Sequence, residues 1–140
     1  YETIGGGTGA SPSRDGASAQ QVHMTNTRAT DPEVLETRLP LLLRSFSIRR
    51  DSGGGGLYSG GDGLIRELEV RGPAHVALLA ARRRRGAPGL NGGQHGSPAV
   101  DQLRIAGRWS HWDGASTMLE EGDRVRIETP GGGGYGQGET

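Results

Sequence analysis

Two runs of four consecutive glycines, Gly53-Gly54-Gly55-Gly56 and Gly131-Gly132-Gly133-Gly134, each with a Tyr close behind (Tyr58 and Tyr135), limit this chain more than any other feature. Such runs weaken helix and strand interiors and contribute no side chain to a core. Gly5-Gly6-Gly7, Gly60-Gly61 and Gly92-Gly93 extend the theme, so that 27 of 140 residues are Gly while 31% are hydrophobic. The core must therefore be thin and set among many turns, or be completed against something outside the chain. The glycine clusters themselves read as turns and tight loops. The two tetraglycine stretches look alike, but there is no fixed period and hence no repeat architecture.

Between the clusters the pattern is mostly that of strands. In 41–50, Phe46 and Ile48 alternate with Ser45, Ser47 and Arg49, the period of a half-buried strand. In 64–71, Leu64, Leu68 and Val70 oppose Ile65, Glu67, Glu69 and Arg71. Weaker strands are expected at Leu103 and Ile105, and at Val125 and Ile127, the latter entered through a turn at Glu121-Gly122-Asp123. The apolar run at 75–81 fits a buried strand or a helical turn equally well. One helix is expected over about 31–38, where Thr30-Asp31-Pro32-Glu33 has capping-box spacing and Pro40 ends it. The residues 21–30 read as an extended segment or a strand end. The fold class is mainly β: a glycine-rich sandwich or barrel-like sheet with one short helix.

Several function classes fit poorly. The 16 basic residues, all Arg, balance 16 acidic ones, so a general nucleic-acid binder is not expected. With no Cys there is no thiolate metal site and no Cys nucleophile. No apolar run approaches the roughly 20 residues of a membrane helix. The chain opens at Tyr1 without an initiator Met, a charged n-region or an apolar h-region, which predicts a start that is not native and no secretory signal. Neither GGGTGA nor the tetraglycines form a phosphate loop, and no Lys is present to serve one. His23, His75, His95 and His111 are scattered, without a zinc motif. Arg82–Arg85 can meet a phosphate, but an ion-paired or solvated strand end is the better reading.

The most chemically capable segment is His23-Met24-Thr25-Asn26-Thr27-Arg28. His23 suits a base or ligand, Asn26 and the threonines can donate hydrogen bonds, and Arg28 can clamp a carboxylate. A polar loop that hydrogen-bonds its own turns explains the same residues and is favoured on the residues alone. If the segment is extended, His23 and Arg28 lie on opposite faces unless the chain bends at Thr25-Asn26-Thr27.

Taken together, YETIGGGTGA, HMTNTRATDPEVLETR, RRDSGGGGLYSGGDGLIREL, GLNGGQHG and ETPGGGGYG resemble, in that order, the C-terminal part of hydantoinase B / 5-oxoprolinase proteins. The resemblance covers essentially all of 1–140, which it implies to be the C-terminal part of a hydantoinase-B-like domain within a larger protein. It implies a fragment of an ATP-dependent cyclic-amide hydrolase, such as one opening 5-oxoproline to glutamate, or a related hydantoinase. The alternatives are a non-catalytic assembly module of such an enzyme and part of a related ketone carboxylase subunit. The implied partners are a hydantoinase-A-like region or subunit, the remainder of the hydantoinase-B-like domain and a small cyclic amide, with neither nucleic acid nor membrane. ATP and a divalent metal would serve the parent enzyme without binding this fragment alone. The expected location is the cytoplasm. The resemblance raises His23 as a catalytic residue, and Asn26, Arg28, Gly5, Gly6 and Gly7 as substrate-binding residues. Ala81, Pro88, Gly114 and Arg14 depart from the usual pattern, which bears on the exact substrate.

Overall fold

A computed structural model describes residues 1–21 and 25–138. One helix and seven strands follow in chain order: α1 (Pro32–Arg38), β1 (Leu41–Arg49), β2 (Gly63–Val70), β3 (Ala74–Val76), β4 (Val100–Ile105), β5 (Arg108–His111), β6 (Thr117–Leu119) and β7 (Arg124–Glu128). Five form an antiparallel sheet in the order β1-β2-β7-β4-β5, and β3 pairs with β6 in a separate two-stranded ribbon. The mainly β class with one short helix therefore holds. Its layered form is an open sheet with a ribbon packed over one end.

The helix starts one residue later than its capping box suggested. Asp31, not Thr30, is the N-cap: its side chain accepts the Glu33 N–H at 3.0 Å. Pro32 explains the shift, because a residue before proline is pushed to extended backbone, and Asp31 has φ −54° and ψ 132°.

Register sorts the sheet into two unlike faces. Leu68 pairs with Val125, and Val125 with Leu103, so one apolar row crosses three strands. Val70, Leu103, Trp112, Leu119 and Val125 form the core, with Ala74, Val76 and Leu78 packed on it. The Trp112 indole N–H donates to the Ala115 carbonyl at 2.9 Å, which satisfies its one polar atom. Of the 75–81 run, only His75 and Val76 become strand, at the end of β3.

Phe46 and Ile48 point to this same face, since they pair with Arg66 and Leu64. A register shift between Leu43 and Ser45 makes Arg44 the extra residue of a bulge, which brings Leu41, Leu43, Phe46 and Ile48 onto one side. Yet Phe46 and Ile48 remain 45% and 39% exposed. The ribbon covers the other end of the face.

The opposite face is polar but not solvated. Glu67 and Glu69 on β2 are buried beneath arginines from the two flanking strands, β1 and β7. Arg44 and Arg124 meet Glu69 at 2.8 and 2.9 Å, Arg124 also meets Glu67 at 3.1 Å, and Arg126 and Arg49 both reach Glu128 at 3.0 Å. β2 is an inner strand, so its polar side chains pair across to β1 and β7 rather than reaching water.

The glycine clusters are not chiefly turns. The segment 130–136 runs through a layer built from 5–10, 52–62 and 86–97. Gly131, Gly132 and Gly134 donate to Ser97, Gly61 and Gln94, while the carbonyls of Gly132, Gly133 and Gly134 accept from Gly54, Ala10 and Leu90. Successive peptides thus bond to different neighbours, not to the same two as in a sheet. Backbones approach so closely that a Cβ on Gly132 would stand 1.8 Å from the Thr8 carbonyl oxygen, and one on Gly7 1.7 Å from that of Gly61. Of the glycines, only Gly92, Gly107, Gly114, Gly122 and Gly136 have positive φ. Glycine is needed here mostly because it lacks a side chain.

Candidate functional site

Two polar side chains fasten the glycine layer to the sheet. Buried Thr129, just after β7, accepts the Leu64 N–H at 2.7 Å and donates its hydroxyl to the Gly5 carbonyl at 2.8 Å. Asp62 Oδ1 accepts the N–H groups of Ser52 and Gly53, both at 2.9 Å. Gly5 and the residues before it are thereby laid across the uncovered end of the apolar face. Between them and the sheet lies a cavity of about 270 Å³, lined in part by Glu2, Gly5, Arg28, Phe46, Leu64 and Arg66.

The second wall comes from the 25–29 segment. Thr27 N–H donates to the Thr25 carbonyl at 2.7 Å, an i to i+2 bond that turns the chain sharply. The hydroxyls of Thr3 and Thr27 lie 2.7 Å apart, and Gln21 Nε2 donates to the Thr3 carbonyl at 2.8 Å. No strand forms over 25–30, so the extended reading of that part is replaced by a tethered loop.

The candidate residues therefore separate. Arg28 and Gly5 line the cavity. Asn26 is exposed and is not among the residues lining it. Gly6 pairs as an isolated bridge with Gln20, and Gly7 donates to the Pro130 carbonyl at 3.0 Å within the glycine layer. His23 lies outside the described residues. The bend that His23 and Arg28 would need is present at Thr25–Thr27.

Arg66 was missed. It is 1% exposed and stands on the apolar face of β2 between Leu64 and Leu68. Its Nη2 donates to Glu2 Oε1 at 2.8 Å, and its Nε lies 2.7 Å from Glu2 Oε2, an ion-pair distance without hydrogen-bond alignment. Nη1 has no partner among the described residues. The guanidinium carbon sits 4.8 Å from the centre of the Phe46 ring, a cation–π contact. The signal in the sequence was an arginine interrupting an apolar stripe of period 2.

Of Arg82–Arg85, which lie in a loop and not at a strand end, Arg83 is ion-paired. Arg83 grips Asp101 through Nε at 2.6 Å and Nη2 at 3.0 Å, and Asp101 is 1% exposed. Among the described residues no group of three or more His, Asp or Glu side chains could hold a metal ion. The N–H groups of Gly131, Gly132, Gly134 and Gly136 are turned to backbone carbonyls, and no Lys is present. The described residues fit neither ATP nor a divalent metal. No helix among the described residues is long and apolar enough to cross a membrane.

Comparison with known proteins accounts for this incomplete chemistry. The chain is 51% identical over 138 residues to 5-oxoprolinase 1 of Arabidopsis thaliana, covering 97% of this chain and 11% of that protein. The crystal structure of ATP-dependent caprolactamase from Pseudomonas jessenii superposes with a TM-score of 0.78 at 28% identity, covering 96% of this chain and 24% of that one. A nucleotide-free acetone carboxylase structure shares the fold, with a TM-score of 0.69 at 18% identity over 94% of this chain and 22% of that one. The family model for hydantoinase B/oxoprolinase matches residues 1–138. The chain belongs to the hydantoinase B/oxoprolinase family.

Proposed function

We propose that this chain is the C-terminal part of a hydantoinase-B-like domain in an ATP-dependent cyclic-amide hydrolase, and that the parent enzyme opens 5-oxoproline to glutamate. The observation that carries this reading is 51% identity, across nearly the whole chain, to a plant 5-oxoprolinase. The likeness to an ATP-dependent caprolactamase supports the broader class, hydrolysis of a lactam driven by ATP. The acetone carboxylase likeness concerns the fold alone, so the ketone carboxylase reading is not favoured.

In this reading the chain contributes to the substrate side. ATP is handled by a hydantoinase-A-like region or subunit, and the metal by the remainder of the B-like domain. Arg28 is the carboxylate clamp, because it lines the cavity and its guanidinium makes no hydrogen bond or ion pair among the described residues. A planar fork of N–H donors suits a carboxylate. Gly5 lets the backbone come close at the same wall. Asn26 lies in the loop that carries Arg28, and His23, three positions before Asn26 in the sequence, is the group that polarises a carbonyl or moves a proton near neutral pH.

The test is ATP-dependent release of glutamate from 5-oxoproline by the full-length enzyme, beside the 140-residue chain alone. Glutamate and ADP are expected from the full-length enzyme only. Turnover of other lactams with none of 5-oxoproline would sink the substrate assignment, and turnover by the short chain would sink the division of labour.

A further inference from the structure

A buried arginine with an idle donor is an energetic problem, and its surroundings show what would solve it. Arg66 is 1% exposed, and its Nη1 has no partner among the described residues. Leaving a charged donor unmet in such a place is costly. Glu2 occupies only the Nε and Nη2 edge. Phe46 covers one face of the guanidinium, which fixes its plane. The cavity also contains Arg28, whereas Glu2 is its one acidic lining residue. Its described lining therefore carries two cations and one anion, a surplus of one positive charge.

We infer that Arg66 and Arg28 together form a binding site for a small monocarboxylate, with Arg66 as the buried anchor. One negative charge balances the surplus, and Nη1 is free to donate to a carboxylate oxygen. Ile4, Ala19, Ala29 and Leu64 give the cavity an apolar lining for a small carbon skeleton. At about 270 Å³ it lies near the lower end of ligand pockets, which run to roughly 300–1,000 Å³. A phosphate dianion fits less well, because its second negative charge exceeds the surplus of one positive charge in the described lining. The inference rests on the substrate-side reading above, which it deepens by naming the anchor that meets the ligand's carboxylate.

Binding, measured without ATP, separates the two. The full-length enzyme is titrated with acetate, propionate and 5-oxoproline, with the neutral lactam 2-pyrrolidinone and chloride as controls. The readout is the ligand-dependent rise in Tm, with calorimetry for Kd. At least one carboxylate should bind and the controls should not. Arg66→Gln and Arg28→Gln should each weaken that binding by about 10- to 100-fold, the loss of one charged hydrogen bond. Should Arg66→Gln fail to fold, the exposed Arg28→Gln decides, together with Phe46→Leu, which keeps the charge but loosens the guanidinium. A carboxylate bound equally well by both Arg28→Gln and Phe46→Leu overturns the site, as does an enzyme that binds none. The latter is the result expected if a carboxylate elsewhere in the polypeptide already fills the position. Carboxylate binding that Arg28→Gln weakens, in an enzyme with no 5-oxoproline turnover, supports the site and removes the proposed reaction. Normal turnover with an unmoved KM in both arginine variants keeps the reaction and removes the site.

Discussion

On the polar face of the sheet, order comes from side chains: Arg44, Arg124 and Arg126 reach across three strands to Glu67, Glu69 and Glu128. In the adjoining glycine layer it comes chiefly from backbone, with Gly132 bonded to Gly61 and Gly54, and Gly134 to Gln94 and Leu90. The two regions tolerate change differently. An ion pair lost from the ladder leaves other partners, since Glu69 is met by Arg44, Arg71 and Arg124. A side chain added to the glycine layer has nowhere to go. Composition that looks like mobile linker is therefore the more exacting of the two.

The largest effect should come from Gly132→Ala. Its Cβ would stand 1.8 Å from the Thr8 carbonyl oxygen and 2.3 Å from the carbon behind it, both backbone. A loss on the order of 3 kcal/mol or more is expected, at the upper end of overpacking costs, read from denaturant melts or soluble yield. A variant as stable as the parent would mean that the layer is looser than its contacts imply.

Next comes Asp101→Asn, which removes the charge gripped by Arg83 at a position that is 1% exposed. The expected loss is about 2 kcal/mol, discounted for the partly open Arg83. No change in the melt would place this pair with surface bridges.

The sheet should also carry the acid sensitivity. The hydrogen bond from Arg44 holds the Glu69 carboxyl below its ordinary value, with Arg124 adding to this against the opposing pull of burial. A lowered folded pKa gives stabilisation that is complete above the ordinary carboxylate range and disappears as pH falls through the lowered value. Glu69→Gln should flatten the pH dependence in that acid window, so that parent and variant converge at low pH. A constant gap down to strong acid would exclude this carboxylate as the source.

The smallest effect sharpens the contrast. A Cβ on Gly72 meets nothing within 4 Å, and its φ is not positive. Gly72→Ala should leave stability unchanged or raise it by up to about 1 kcal/mol, because it restrains the unfolded chain.

What was legible follows the same division. Period-2 alternation located β1, β2, β4 and β7, because one face of each meets a core. The short β5 and β6 left too few residues for a period, and β5 is exposed along its whole length. The burial of Glu67 and Glu69 was not legible, since nothing local says that arginines from β1 and β7 will cover them. The glycine layer was unreadable for a related reason. Its pairings join residues such as Gly7 and Gly61 that are far apart in sequence, and glycine carries no pattern to reveal them. Arg28 was marked by its chemistry within a polar segment. Arg66 escaped because its importance lies in an uncovered end of the sheet and in Glu2, a residue 64 positions away.

Whether this chain serves the substrate half of a lactam hydrolase is tested most directly by steady-state kinetics of Arg28→Ala in the full-length enzyme, with 5-oxoproline and ATP varied separately. Loss of a charged hydrogen bond should reduce kcat/KM for 5-oxoproline by about 10- to 100-fold, on the order of 1.5–3 kcal/mol. The KM for ATP should stay nearly constant. A folded variant with unchanged 5-oxoproline kinetics, or one whose main defect is in ATP, would contradict the assignment.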